Sequence, residues 1–503
     1  MVTRLKINIL SNLAGGGWNT LLVILVTPVQ VAALGIEAFG LLSLIAVLQI
    51  VAGAFDFGLA TTVTREIARE DGDRNHNGEA AAFVNAAAAI YWFFAFVFAA
   101  ALWFSAETIP AHWLKAGALP PSTIADSFCL IAVFLLLRWP IALYAGVMTG
   151  VQRMGLLNTL KSAAMTLRLA GGAIMLLINP DLLWLLGWYV GTAALELAAF
   201  VVCALRSYPG LTWLPRFDLA AIRRASSFST AMYAITLLAM LLTQIDRLFI
   251  SGFLGLAELG YYSVAYTAAL GMSLIQTSIN NAALPAFANA HGGDEGETLT
   301  DRYERLSELM GFVITPVACT LIFFGRDLFQ VWVGAAIADA ARVPLALLAS
   351  GFLFNAMFSN CYVYGVAAGR PALFLRANLA GFVLYLPTLI SGILIGGIAG
   401  AGAAWLLLNL FYIACVLPRA HASLKLVSAG NWLRRNVGVF AFTGFISFGS
   451  GALAAQLIGG WSGLIAGLAC AFAAYLWMAM RFGSSALGHD LRAAWQRLTG
   501  CGA

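Results

Sequence analysis

The stretch FSTAMYAITLLAMLLTQIDRLFISGFLGL, residues 228–256, is apolar over about the 20 residues that a helix needs to cross a bilayer, yet it carries Asp246 and Arg247. A charge at the centre of a membrane helix costs roughly 2.5–3.5 kcal/mol, so such residues require partners, water or a function. Adjacent helical side chains point about 100° apart, and no carboxylate lies three or four residues from Arg247. We therefore expect the pair to find its partners on other helices or in water.

The whole chain shares this apolar character. It is 61% hydrophobic and only 10% charged, with a mean hydropathy of +0.87, whereas about a quarter of the residues of a soluble domain are charged. The sequence therefore predicts an all-α polytopic membrane protein without an extramembrane domain. About fourteen stretches are long enough to span the bilayer: 10–34, 38–62, 80–105, 127–148, 162–179, 182–205, 228–252, 259–285, 309–325, 343–366, 377–395, 399–417, 437–459 and 462–480.

The basic residues predict the orientation of these spans, because Lys and Arg in short loops are retained in the cytoplasm. Of the 28 Lys and Arg, three fall in predicted outside loops (Lys115, Arg326, Arg342) and three in spans (Arg138, Arg168, Arg247). The other 22 lie inside if the N-terminus is inside, so both termini are predicted to be cytoplasmic. The net charge of +5 thus reflects topology, and we expect no nucleic-acid partner.

This topology can be tested by labelling single cysteines with a membrane-impermeant maleimide. Residues next to Lys115 should react from outside the cell, and residues next to Arg224 and Arg497 should react only after the membrane is opened. The opposite pattern would overturn the predicted orientation.

A weak internal repeat appears when the chain is shifted by 220 residues. LGIEAFGLLS at 34–43 then aligns with LGLAELGYYS at 254–263, and GVQR at 150–153 has an echo in GVAAGR at 365–370. Because each half would hold six spans, we expect two parallel six-helix lobes with the substrate between them. The predicted segments are an N-terminal lobe (1–205), a cytoplasmic linker (206–227), a C-terminal lobe (228–420), and two extra helices with a cytoplasmic tail (421–503).

The candidate site residues are the ionisable side chains within the predicted spans: Asp56, Arg138, Arg168, Glu196, Asp246 and Arg247. Three cations and three anions suit a water-filled chamber that receives an anion, with the acids as ion-coupling or cavity residues. The alternative for Asp56, Asp246 and Arg247 is an interhelical or interfacial ion pair. Asn280 belongs to a polar stripe that could bind substrate or join helices. The seven Cys include no C-x-x-C pair, so no metal or other cofactor is expected.

Several motifs resemble the Wzx-type polysaccharide-export flippases, whose superfamily also contains lipid II flippases and multidrug extrusion transporters. They are LGIEAFG (34–40), FDFGLATTVTREIA (55–68), GVQR (150–153), IDRLFISGFLG (245–255) and LGYYSVA (259–265). Asp246 and Arg247 stand at the family's Asp-Arg pair, and Asp56 and Arg65 at its helix-two motif. The presence of two extra helices after the second lobe, within 421–503, resembles the lipid II flippase branch.

The resemblance implies a two-lobed transporter of the bacterial inner membrane that alternates access. It would flip a polyprenyl-diphosphate-linked oligosaccharide to the outer leaflet, with membrane lipids and polysaccharide polymerase machinery as partners. Arg138, Arg168, Arg247 and Asn280 are then the predicted substrate-binding residues, since Arg presents a fork of donors to phosphate. The alternatives are a multidrug exporter coupled to H⁺ or Na⁺, and a membrane glycosyltransferase or polymerase. We expect no enzyme, because no hydrolytic or transferase constellation is present.

Overall fold

The computed structural model describes residues 2–54, 56, 58–71, 78–115, 117–212, 229–288 and 299–483. Within these residues every regular element is helical, as predicted. The helices are α1 (Val2–Leu34), α2 (Ile36–Ala54), α3 (Leu59–Asp71), α4 (Glu79–Phe104), α5 (Thr108–Trp113), α6 (Pro121–Arg138), α7 (Ile141–Gly150), α8 (Met154–Ile178), α9 (Leu182–Ser207), α10 (Ser229–Phe253), α11 (Leu256–Leu270), α12 (Met272–Ala288), α13 (Leu299–Phe323), α14 (Gly325–Trp332), α15 (Ala335–Ala367), α16 (Pro371–Phe411), α17 (Leu417–Leu424), α18 (Ala429–Trp432), α19 (Val439–Ile458) and α20 (Gly460–Phe482). Short π-helical turns at Tyr412–Val416 and Leu433–Gly438 join α16 to α17 and α18 to α19.

Eleven helical segments in the described part of the chain are long and apolar enough to cross a membrane. One of them, Pro371–Leu424, has 54 residues and contains Gly397 with a φ of 57°, where two helices meet at a kink. The predicted span 259–285 is divided between α11 and α12, which have 15 and 17 residues. The count of fourteen spans therefore stays a prediction.

Two other predicted spans are also interrupted. The span 38–62 is divided between α2 and α3, and Asp56 lies in the break with Gly58 at a φ of 74°. The span 127–148 changes from α6 to α7 beside Pro140, which cannot donate a backbone hydrogen bond. Broken helices at membrane depth occur where the backbone is buried in protein or lines an aqueous cavity. The interruptions thus place Asp56 and Arg138 at helix ends.

The chain forms two compact units, residues 1–263 and 264–503. The predicted lobe boundaries at 205, 228 and 420 and the twofold repeat stay predictions, and most of the linker lies outside the described residues. In unit 1, α3 packs against α7 through Gly146 and Gly150, and α8 packs against α9 through Gly171 and Gly172. These small residues let the helices approach closely, as is common in membrane bundles.

The repeated motifs contact each other within unit 1, at the starts of α2 and α11. A Cβ added to Gly40 would overlap the carbonyl oxygen of Leu256, and one added to Gly260 would overlap that of Ile36. A shift of 220 residues relates Ile36 to Leu256 and Gly40 to Gly260. Each glycine therefore contacts the residue that is equivalent to its own motif partner in the other motif. We call Ile36, Gly40, Leu256 and Gly260 the glycine seam. By the predicted topology, the seam lies towards the outer side of the membrane.

Unit 2 contains its own helical core. The last two helices, α19 and α20, approach at Gly451 and Gly467, where either added Cβ would come within 2.6 Å of a backbone oxygen. Near the other end, the hydroxyl of Tyr303 on α13 lies 2.9 Å from Nε2 of the buried His421 on α17. The polar contact and close helix packing hold α13, α17 and the final helix pair in one unit.

Candidate functional site

A cavity of about 420 Å³ lies inside unit 1, within a ring of helices that includes α1, α2, α4 and α6–α9. Four of the six ionisable residues predicted for the site line it: Asp56, Arg138, Arg168 and Glu196. The other polar lining residues include Asn19, Gln49, Tyr91 and Lys161. Helices that are distant in sequence thus bring the predicted charges together in one chamber.

Glu196 on α9 is the common partner of both cavity arginines. Its Oε2 accepts a hydrogen bond from Nη1 of Arg138 at the end of α6 and another from Nη2 of Arg168 on α8. Arg168 is 6% exposed and Glu196 is 7% exposed, so this is a desolvated cluster of two cations and one anion. A buried charge without compensation is costly. Glu196 compensates only one of the two arginines, so the cluster is net positive.

The ring of Phe134 contacts both guanidinium groups, and the amide of Gln49 contacts that of Arg138. The ring of Phe134 lies 5.9 Å from the guanidinium carbon of Arg138 and 5.5 Å from that of Arg168, within the range of cation–π contacts. With its amide carbonyl turned towards Arg138, Gln49 accepts from Nη2 at 2.8 Å and from Nε at 3.2 Å. The arginines are therefore positioned for a planar, bidentate partner.

The second acid in the cavity wall is Asp56. Its Oδ1 accepts a hydrogen bond from the hydroxyl of Tyr91 on α4, and it also accepts from the backbone N–H of Ala60 at 3.0 Å. The carboxylate thereby satisfies a free N–H at the start of α3, where the helix dipole also favours a negative group. Asp56 is thus tied both to the helix break and to the cavity.

Lys161 is a cavity cation that sequence reasoning assigned to a cytoplasmic segment. It lies on α8, seven residues before Arg168, so the two side chains share one helical face. That spacing was the available signal, whereas no pattern in the sequence pointed to Tyr91 or Gln49. Among the described residues Lys161 has no hydrogen-bond or ion-pair partner. The cavity therefore contains one cation that is free to bind an added anion.

The comparisons with known proteins agree with this architecture. A family described as "Polysaccharide biosynthesis protein" matches residues 163–342. A relative from Shigella flexneri named "Putative O-antigen transporter" is 23% identical over 404 residues, which cover 78% of this chain and 92% of the relative.

Solved structures give the fold. The lipid II flippase MurJ in an inward closed conformation matches with a TM-score of 0.74 at 13% identity, covering 94% of this chain and 98% of that one. A mutant form of the MATE transporter VcmN of Vibrio cholerae matches with a TM-score of 0.59 at 14% identity, covering 86% and 98%. The chain has the MurJ and MATE fold. The predicted resemblance to the polysaccharide-export flippases is therefore confirmed, and the relatives' names agree with a transporter rather than an enzyme.

In this MurJ-like fold, Asp246 and Arg247 lie on α10, away from the residues that line the cavity. Asp246 is 2% exposed, and its Oδ2 accepts a hydrogen bond of 2.7 Å from the hydroxyl of Tyr262 on α11. Arg247 donates through Nη2 to Oε1 of Gln244, one turn earlier, at 2.7 Å. The expected partner on another helix is found for Asp246, and its contact joins α10 to α11, which begins within the LGLAELG motif at 254–260.

Asn280 lies in unit 2 of the MurJ-like fold, on α12. Its Oδ1 accepts from the hydroxyl of Ser359 on α15 at 3.2 Å. A second chain of amides runs from Gln276 to Asn355 at 3.1 Å and from Asn355 to Asn409 at 2.9 Å. These contacts match the alternative interpretation of the polar stripe as a link between helices. The substrate-binding role of Asn280 stays a prediction.

Proposed function

We propose that the chain flips a polyprenyl-diphosphate-linked oligosaccharide from the cytoplasmic to the outer leaflet of the bacterial inner membrane, by alternating access. The observation that supports this most directly is the unit 1 cavity with its three basic side chains, Arg138, Lys161 and Arg168. The O-antigen transporter among the relatives and the lipid II flippase fold support the same substrate class. Both termini are proposed to be cytoplasmic, and a polysaccharide polymerase would take up the flipped product.

The diphosphate is the part of this substrate that the cavity suits. A diphosphate cannot enter hydrocarbon without compensating charge, and a fixed guanidinium offers two parallel donors to its oxygens. Arg138 and Arg168 would bind the phosphates at membrane depth, and Lys161 would meet them nearer the predicted cytoplasmic end of α8. The polyprenyl chain stays in lipid, so the protein has to carry only the polar head across.

The remaining predicted residues take roles outside this phosphate site. Asp56, held by Tyr91 in the cavity wall, is proposed to couple an ion to transport, since it is the second acid among the described cavity-lining residues. Arg247 and Asn280 are proposed to contact the passing head group. Asp246 is proposed as an interhelical contact or coupling residue near the glycine seam. A cavity with more basic than acidic side chains favours an anionic cargo over the organic cations of a multidrug exporter.

Reconstitution in lipid vesicles tests the proposal. We expect the purified full chain to move a fluorescent undecaprenyl-diphosphate disaccharide between leaflets, measured as the fraction of dye that dithionite quenches from outside. The matched control is the same labelled disaccharide on a neutral diacylglycerol anchor, which should not move. Equal movement of both lipids, or transport of a cationic dye in place of the diphosphate lipid, would overturn the proposed substrate class.

A further inference from the structure

Glu196 occupies the position of an anion between the two arginines of the cavity. One carboxylate oxygen, Oε2, accepts hydrogen bonds from both arginines, which is the position that a phosphate oxygen would take between two guanidinium groups. A phosphate cannot bind both forks while this carboxylate remains there. The site is therefore filled by a side chain of the protein itself.

Both arginines have a contact other than the Glu196 carboxylate. Phe134 contacts both guanidinium groups, and Gln49 faces Arg138, so neither arginine depends on Glu196 alone for its position. Lys161 lies within electrostatic reach of Glu196 and has no other partner among the described residues. A displaced carboxylate would thus keep a cation nearby, which lowers the cost of leaving a buried charge uncompensated.

We propose that Glu196 is a resident substitute for the diphosphate, which the substrate displaces on binding and which recombines with the arginines to expel it. The inference rests on the proposed function and adds to it the displacement and return of the Glu196 carboxylate in each transport cycle. The carboxylate offsets one of the two arginine charges before the substrate binds, and its return competes with the phosphates at the release step. Binding is weaker than the free arginines would allow, and release is correspondingly faster. Glu196 thus acts as a competitor of the phosphates for the donors of the two arginines.

The decisive variant is Glu196→Gln, which keeps the size of the side chain and removes its charge. We expect it to bind inorganic pyrophosphate about 10-fold more tightly than the wild type, since displacement no longer breaks the ion pairs with the arginines. In the vesicle assay, KM for the undecaprenyl-diphosphate disaccharide should fall and kcat should fall with it. A purely structural ion pair would instead lower the amount of folded protein and leave KM unchanged.

Glu37→Gln is the matched control. Glu37 is also a buried acid of unit 1, but its oxygens accept backbone N–H groups of Gly117 and Ala118 at 2.7 Å and 2.6 Å. Its replacement should leave pyrophosphate affinity unchanged. If Glu196→Gln folds poorly, the comparison of Arg138→Gln with the double variant Arg138→Gln/Glu196→Gln replaces it, and the double variant should bind more tightly.

The outcomes separate this inference from the proposed function. Equal or weaker pyrophosphate binding by the variants that lack Glu196, while the wild type flips the diphosphate lipid, would overturn the substitute role alone. Failure of the wild type to flip that lipid would overturn the proposed function. Tighter binding with a lower kcat would support both.

Discussion

Replacement of Arg168 with alanine is expected to reduce flipping of the diphosphate lipid at least about 100-fold, equivalent to the loss of a bidentate charged contact of roughly 2–3 kcal/mol. The protein should still fold, because Glu196 keeps Arg138 as its partner and only one charge is lost from the cluster. The measurement is the initial rate in vesicles, normalised to inserted protein, together with export of surface polysaccharide in cells that carry the variant.

Lysine at the same position should recover little of this activity. Its ammonium is a point charge without the planar fork, and it cannot share an oxygen with Arg138 in the same geometry. The matched control is Arg153→Ala, which removes an exposed arginine that donates to Ser207 outside the cavity. It should retain nearly full activity. Full activity of Arg168→Ala would refute a substrate role for this residue, and a loss of abundance in proportion to activity would indicate a structural ion pair.

Replacement of Gly260 with alanine is expected to have the second large effect, through the glycine seam. The added methyl group would overlap the carbonyl oxygen of Ile36, so α2 and α11 must separate. Overpacking of this kind costs about 1–3 kcal/mol, although alanine favours a helix over glycine by about 1 kcal/mol. We expect a lower Tm of the purified protein and reduced flipping, and Gly40→Ala should act in the same way.

Gly187→Ala is the control for this change. It places the same methyl group on α9, where no atom of another helix lies within 4 Å, so it should leave Tm and flipping unchanged or slightly raised. If both seam variants behave like this control, the seam has no part in holding the helices together.

The seam variants also test the proposed alternating access. A cysteine at position 142, in the cavity wall, should be protected from an impermeant maleimide added outside when Gly260 is present, and should react when it is replaced by alanine. Equal reaction in both backgrounds would show that the seam does not close the predicted outer side.

The amino-acid sequence alone indicated a polytopic membrane protein and identified the charged residues within its apolar spans. Burial of a charge in a bilayer is costly wherever it occurs, so Arg138, Arg168 and Glu196 could be singled out from their apolar surroundings without knowledge of the fold. The likeness of 34–43 to 254–263 was also visible, since the same packing requirement selects glycine at equivalent positions. The resemblance to export flippases followed from short motifs of this kind.

Only the tertiary structure decided which of these residues meet. Arg138, Arg168 and Glu196 lie on three different helices, with Glu196 separated from the arginines by 58 and 28 residues, and the choice of Glu196 as their shared partner depends on how α6, α8 and α9 pack. The same packing places Lys161 in the cavity wall. It brings Asp246 into contact with Tyr262 rather than with the cavity. The cost of a buried charge is local and can be read from a sequence, whereas its compensation is a contact between distant segments that exists only once the helices are assembled.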